Sequence, residues 1–239
     1  CEAFGRAYCF GPTFRAENSN TRRHLTEFWM VEPEVAYMDL EGDMELAEGL
    51  VQAIVRRVLE KCSSQLKILE RDTKPLEAVI NGAFPRISYT EAVEIIREAG
   101  VDFNWGDDFG GTDETIVGSK FNQPVIVYGY PKEIKPFYMK TDSENPKIVR
   151  NMDILAPEGY GEIIGGGQRE EDYQTLVNAI QEQGLKPENY KWYTDLRKYG
   201  SVPHAGFGLG VERCVAWICG LPHVRETGAF PRLPKRLKP

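Results

Sequence analysis

Only three histidines and five cysteines occur in the 239 residues, and Cys1, Cys9, Cys62, Cys214 and Cys219 form an odd set without a CxxC spacing. Those numbers argue against a thiolate zinc site and a disulfide framework, and a reducing, cytoplasmic setting is expected, with Cys214 and Cys219 read as small buried hydrophobes rather than ligands or a redox pair. Long apolar runs are missing too. The longest, Val215 to Leu221, falls well short of the ~20 residues that span a bilayer, so no membrane association is expected. The first ten residues, CEAFGRAYCF, contain neither an initiator Met nor an unbroken apolar stretch. They are not a signal peptide, and the chain reads as a piece that begins mid-domain. Basic residues are in deficit: 29 Lys and Arg against 36 Asp and Glu leave a net charge of −7. A protein that coats nucleic acid needs the opposite balance, although a local basic site remains open.

What is present reads as a single domain over residues 1–239. Residues 7–16 and 26–38 alternate apolar and polar side chains and are rich in β-formers, which predicts two antiparallel strands. From Asp39 onward, Met44, Ala47, Val51, Val55, Cys62 and Leu66 recur at helical spacing, predicting one long helix packed on the sheet. Ser88 and Glu91 form a capping-box pair ahead of a short helix that Gly100 can end. Residues 101–123 are polar and Gly-rich, and an insertion is expected over about 67–123. Strands are expected at 124–131, 134–140, 148–155 and 159–168, helices at 170–184 and 188–199, and a glycine-rich strand at 202–210 leading into a helix from Val211. Strands dispersed among helices without regular βαβ alternation predict an α+β fold, an antiparallel sheet flanked by helices on one face.

Three clusters can carry chemistry. In FGPTFRAENSNTRRHLTEFWMVEPE (10–34), alternation sets Arg15 and Glu17 on one face, and a loop with Arg22, Arg23 and His24 leads to Phe28. Arginine grips phosphate and an aromatic ring stacks on a base, yet the same residues also suit an ordinary charged hairpin. In MDILAPEGYGEIIGGGQRE, Asp153 and Glu162 precede Gly165, Gly166, Gly167, Gln168 and Arg169. Paired carboxylates near phosphate suit Mg²⁺, while a glycine bulge among solvated acids is the plainer alternative. In HAGFGLGVERCVAWICGL, Gly206, Gly208 and Gly210 clear one strand face, a floor for a flat ring, before Arg213 opens a helix. The spacing matches neither GxGxxG nor GxxxxGK[ST]. His204 reads as structural, and His223 has no evident partner.

These three clusters, in this order, resemble motif 2, the amino-acid-binding strand and motif 3 of class II aminoacyl-tRNA synthetases. FGPTFRAENSNTRRHLTEFWMVEPE, GEIIGGGQRE and GFGLGVER with the late FPR are similar to the asparaginyl branch of that family, and the likeness extends over essentially the whole chain. It implies the family's catalytic core, lacking here the anticodon-reading OB fold and motif 1. It implies ATP and Mg²⁺, activation of asparagine as an adenylate, transfer to the acceptor end of tRNA(Asn), and a homodimer in the full-length protein. By resemblance, Arg15 takes the α-phosphate, Glu17 lies at the adenine and 3′ end, and Phe28 and Arg213 sandwich the adenine. His24 and Arg23 approach the outer phosphates, and Asn18 to Thr21 meet the acceptor end. Gly208 and Gly210 line the ATP site. Glu162 and Asp153 hold Mg²⁺, and Arg169, with Gln168 and Gly166, holds the amino acid.

The family's amide-reading carboxylate is expected on a strand ending ahead of Cys1. Gly167, Ala205, Gly228 and Ala229 depart from the usual pattern. Three alternatives stay open: an aspartate-specific enzyme, a tRNA-independent amidating paralogue, and an inactive nucleotide-binding fragment. Arg232, Lys235, Arg236 and Lys238 near the end of the chain are either a basic feature for RNA or a solvated tail.

Overall fold

The computed structural model describes residues 1–239 other than Glu17, Asn20, Leu237 and Pro239. Strands β1 (Arg6–Phe14) and β2 (Glu27–Ala36) form the expected antiparallel hairpin, with Arg6 opposite Val35 and Thr13 opposite Phe28. Strands β3 (Arg86–Ser88), β4 (Val125–Tyr128), β5 (Asn151–Ala156), β6 (Gly161–Gln168) and β7 (His204–Gly210) complete one sheet, ordered β1-β2-β7-β6-β5-β4-β3. Every neighbouring pair is antiparallel except β3 and β4, which run parallel.

Helix α1 (Leu40–Lys61) begins where Asp39 accepts the Gly42 amide at 3.0 Å, and its Ala47, Val51 and Val55 are fully buried. The single helix expected through Leu66 breaks at Cys62, whose ψ of 21° departs from helical geometry. Ser63 and Ser64, weak helix formers, follow it in α2 (Ser63–Ile68). Helices α3 (Lys74–Val79), α4 (Tyr89–Glu98) and α5 (Gly111–Gly118) occupy the stretch expected as an insertion, which also supplies β3 to the sheet. The capping box is present: Ser88 Oγ accepts the Glu91 amide at 3.2 Å, and the Glu91 carboxylate accepts the Ser88 amide at 2.7 Å. The strand expected at 134–140 does not form. Pro131 and Pro136 cannot donate to a ladder, and the segment takes a 3₁₀ turn at Lys132–Ile134 and one bridge from Met139 to Arg169. Helices α6 (Tyr173–Glu182), α7 (Lys191–Lys198) and α8 (Val211–Cys219) finish the chain's regular structure.

Packing differs between the two faces. Ile126, Ile154, Ile164, Phe207 and Leu209 pack with Val51 and Val55 of α1 and Trp217 of α8. On the other face, Val125, Val127 and Leu155 meet Val93 and Ile96 of α4 and Val117 of α5. Helices therefore cover both faces at the β3–β5 end, where one covered face was expected. A trough remains over β2, β7 and β6, walled by α5 at one end. Among the described residues, no helix is long and apolar enough to cross a membrane.

Ile164→Ala, in the fully buried layer, is expected to cost about 2–5 kcal/mol of stability. Ser88→Ala is expected to cost about 1 kcal/mol. Urea denaturation of both variants checks this ordering.

Candidate functional site

Glycine opposite glycine forms the trough floor: Gly165 pairs with Gly208 and Gly167 with Gly206, while the intervening Phe207 and Leu209 point into the core. A register shift between Ile154 and Leu155 sets Ile154 opposite Ile164 but Leu155 opposite Glu162, so Ile163 is an extra residue in β6. Plain alternation would put Glu162 on the face of Ile164. The bulge returns it to the floor beside Gly165, where an added Cβ would lie 2.7 Å from Glu162 Oε1 and 3.4 Å from Asp153 Oδ1. The two carboxylates thus converge over one side-chain-free position.

One cleft, enclosing about 540 Å³ of space that includes open solvent, gathers Arg15, Arg23, His24, Phe28, Glu162, Gly208, Gly210 and Arg213. Arg15 follows the end of β1, its amide donating to the Thr26 carbonyl at 2.9 Å and its guanidinium 5.1 Å from the centre of the Phe28 ring. Arg213, in the first turn of α8, donates to Glu162 Oε2 at 2.9 Å and to the Glu162 carbonyl at 3.0 Å. Glu17 lies outside the described residues. His24 Nδ1 meets Thr21 Oγ1 at 2.5 Å.

Arg23, expected at the outer phosphates, lines this cleft with its guanidinium held by α5 and the Gly159 carbonyl. Its guanidinium donates to Glu114 at 2.8 Å, to Thr115 Oγ1 at 2.6 Å and to the Gly159 carbonyl at 2.6 Å, tying the loop after β1 to α5. Glu114 also accepts the Glu162 amide at 3.0 Å. Burial, reinforced by the Glu162 charge, lifts the Glu114 carboxyl to about 7 against the pull of Arg23 and Arg213.

Asp153 accepts from Lys135 Nζ at 2.6 Å, and the same ammonium lies 3.9 Å from the centre of the Tyr130 ring. Burial and the Glu162 charge raise the Asp153 carboxyl. For Glu162, burial pushes upward, but Arg213 and Lys135 outweigh it and hold the carboxyl below its usual range. One carboxylate of the pair is thereby kept firmly ionised. No group of three or more His, Cys, Asp or Glu side chains suited to a metal occurs among the described residues. The Asp153 and Glu162 pair is nevertheless the donor set Mg²⁺ takes when substrate phosphates and water complete its shell.

Arg169, just past β6, grips Glu34 of β2 with two bonds, Nε to Oε1 at 3.0 Å and Nη2 to Oε2 at 3.1 Å. Its guanidinium also lies 5.5 Å from the centre of the Tyr138 ring. Gln168 and Gly166, expected beside it, are on the other face: Gly166 pairs with Phe207 and Gln168 with Ala205, both core residues. Alternation along β6 separates them from Arg169. His204 is structural, as expected. Arg197 can only donate, so its 3.2 Å contact makes His204 Nε2 the acceptor and leaves Nδ1 to donate to the Val202 carbonyl at 2.8 Å. Burial, aided by Arg197, lowers its pKa and keeps it neutral.

Four charged side chains on or beside the floor escaped the reading of the sequence: Glu34, Glu32, Lys135 and Glu114. Glu34 and Glu32 were within reach, because they alternate with Phe28 and Met30 along β2 and so share the floor face. Lys135 and Glu114 come from segments without a motif.

The family model for tRNA synthetases class II (D, K and N) matches residues 2–234. Among curated relatives, the asparagine--tRNA ligase of Sorangium cellulosum (strain So ce56) is 59% identical, matching 99% of this chain and 56% of its own length. The asparagine--tRNA ligase of Desulforamulus reducens is 56% identical over 99% of this chain and 55% of its length. The chain thus spans about half the length of the curated relatives it matches. Among solved structures, asparaginyl-tRNA synthetase from Pyrococcus horikoshii complexed with asparaginyl-adenylate superposes with a TM-score of 0.97 at 51% identity, covering 100% of this chain and 55% of that one. Aspartyl tRNA synthetase from Entamoeba histolytica superposes at 0.88 with 33% identity, covering 100% and 50%.

The sign of the Glu114 shift makes a stability prediction. A folded carboxyl at about 7 binds its proton more tightly than in the unfolded chain, so stability should rise as pH falls from 8 toward 5. Glu114→Gln should flatten part of that slope, measured as the pH dependence of the urea midpoint.

Proposed function

The chain belongs to the class II tRNA synthetases of the D, K and N type, and from that premise we propose that it is the catalytic core of an asparagine–tRNA ligase. The observation that carries the substrate assignment is the two-bonded Arg169–Glu34 pair at the end of the floor. A side-chain amide offers one acceptor oxygen and one donor nitrogen, and the pair offers a cation to the first and a carboxylate to the second. An aspartate side chain would instead set its charge against Glu34. Glu34 therefore takes the role of the amide-reading carboxylate that had been expected ahead of Cys1. Glu32, exposed on the same face of β2, is suited to the substrate ammonium.

In this reading Phe28 and Arg213 hold the adenine over Gly208 and Gly210, and Arg15 meets the α-phosphate. The asparagine carboxylate oxygen attacks the α-phosphorus, the bond to the bridging oxygen breaks, and pyrophosphate leaves. In the second step a ribose hydroxyl at the tRNA 3′ end attacks the carbonyl carbon, and AMP departs. Neither step calls for a protein nucleophile. The residues align the reactants and neutralise charge that spreads over the phosphate oxygens. Glu162 and Asp153 would hold Mg²⁺, which supplies further neutralisation of the phosphates when bound.

Arg22, in the loop after β1, donates to the Gly159 carbonyl at 2.9 Å and, with the basic residues after Phe230, offers charge to the acceptor end of tRNA(Asn). We place the full-length protein in the cytoplasm as a homodimer. Tyr8, Phe10 and Phe14 of the edge strand are 74%, 59% and 68% exposed, apolar surface that a second copy can cover.

Amino-acid-dependent exchange of pyrophosphate into ATP tests the proposal on the full-length protein. Exchange should require asparagine, fail with aspartate and stop on chelation of Mg²⁺. Arg15→Ala should reduce it by about 10²–10³-fold while the fold is retained by circular dichroism. Exchange driven by aspartate, or full activity of Arg15→Ala, would overturn the assignment.

A further inference from the structure

Asp43 lies in the first turn of α1, fully buried, and neither carboxylate oxygen has a hydrogen-bond partner among the described residues. The chemistry above makes no use of it. An unpartnered buried carboxylate is costly, and the adjacent helix positions are filled by apolar Leu40 and Met44. Packing gives no reason for an acid here.

Its surroundings do. The carboxylate approaches the Gly167 amide in β6, and the charges that act on it are Arg169, just beyond β6, and Glu34 on β2. Beyond that pair stand neutral His204 on β7, 3.8 Å from Glu34, and Arg197 of α7. Gly167 has φ +153°, and an added Cβ would lie 2.6 Å from the Arg150 carbonyl oxygen, so the strand stays bare at this point. Its cross-strand neighbour Asn151 and the next residue, Gln168, are also buried, each with one side-chain atom unpartnered among the described residues. A polar knot therefore sits against the strand segment that carries Arg169.

We propose that Asp43 is a positioning and selectivity residue for the Arg169–Glu34 pair: its negative charge joins Glu34 in balancing Arg169, so that a neutral amide is accepted and a second carboxylate is repelled. The proposal rests on the asparagine reading of the site. Burial, with Glu34 adding and Arg169 opposing, lifts the Asp43 carboxyl to about 7. The repelling charge is thus largely present at pH 8 and largely neutralised at pH 6, a range over which free aspartate stays ionised.

The test compares pyrophosphate exchange with asparagine and with aspartate between pH 6 and 8, on the full-length protein and its Asp43→Asn variant. The ratio of kcat/KM for asparagine over aspartate should rise about fivefold or more from pH 6 to 8. In Asp43→Asn the ratio should be lower and flat with pH, through a reduced KM for aspartate, with KM for ATP unchanged. An active Asp43→Asn protein with the original ratio and profile overturns the proposal. So does a flat profile in the unsubstituted protein, whether or not the variant folds. Preference of the unsubstituted protein for aspartate would overturn the asparagine reading together with this one; asparagine preference with an unaltered ratio in the variant overturns this one alone.

Discussion

A sheet packed on one face and left bare on the other over β2, β7 and β6 is the constraint behind this site. Gly165 faces Gly208 and Gly167 faces Gly206, while Ile164, Phe207 and Leu209 of the same strands fill the core beneath. The alternation of a strand makes the two faces inseparable: residues that seal the core leave every second position to the floor, and only glycine keeps that floor clear. Groups that can do chemistry must then reach over the floor from its margins, as Arg213 does from α8, Arg15 from the end of β1 and Arg169 from the end of β6.

Those margins are arranged as paired charges. Arg213 holds Glu162, Lys135 holds Asp153, Arg169 holds Glu34 and Arg23 holds Glu114. Partly buried pairs of this kind contribute little net stability, since desolvation offsets attraction, but they fix where each charge points. Arg15 differs, with its guanidinium over the Phe28 ring and no ion pair among the described residues. It is a cation left available to a phosphate, next to a ring available to a base. The carboxylate pair over Gly165 is held apart in protonation by unequal surroundings, with Glu162 stabilised as an anion beside Arg213 and Asp153 raised by burial.

Much of this was legible from residue order. The Ser88–Glu91 cap, the apolar face of α1 and the alternating glycines of β7 are local signals, and each formed an element of the announced type, although α1 stops at Lys61. Arg15, Phe28, Glu162 and Arg213 were singled out from local patterns and meet in one cleft. Tertiary geometry added what these patterns do not carry. Gln168 and Gly166 adjoin Arg169 in sequence but face the core, because neighbours in a strand point to opposite sides. The segment around Pro136 looked like a strand by composition, yet Pro136 has no amide hydrogen to give a ladder.

By itself, then, the sequence determined the elements and the chemical character of the site, because caps, periodicity and glycine spacing act within a few residues. Only the tertiary structure decided which charges meet. The bulge at Ile163 that returns Glu162 to the floor depends on how β5 pairs with β6. Lys135 reaches Asp153, Glu114 reaches Arg23, and Glu34 reaches Arg169 across separations of 18, 91 and 135 residues. Register and long-range contact are set by the simultaneous packing of both sheet faces, and no short window of residues contains that information.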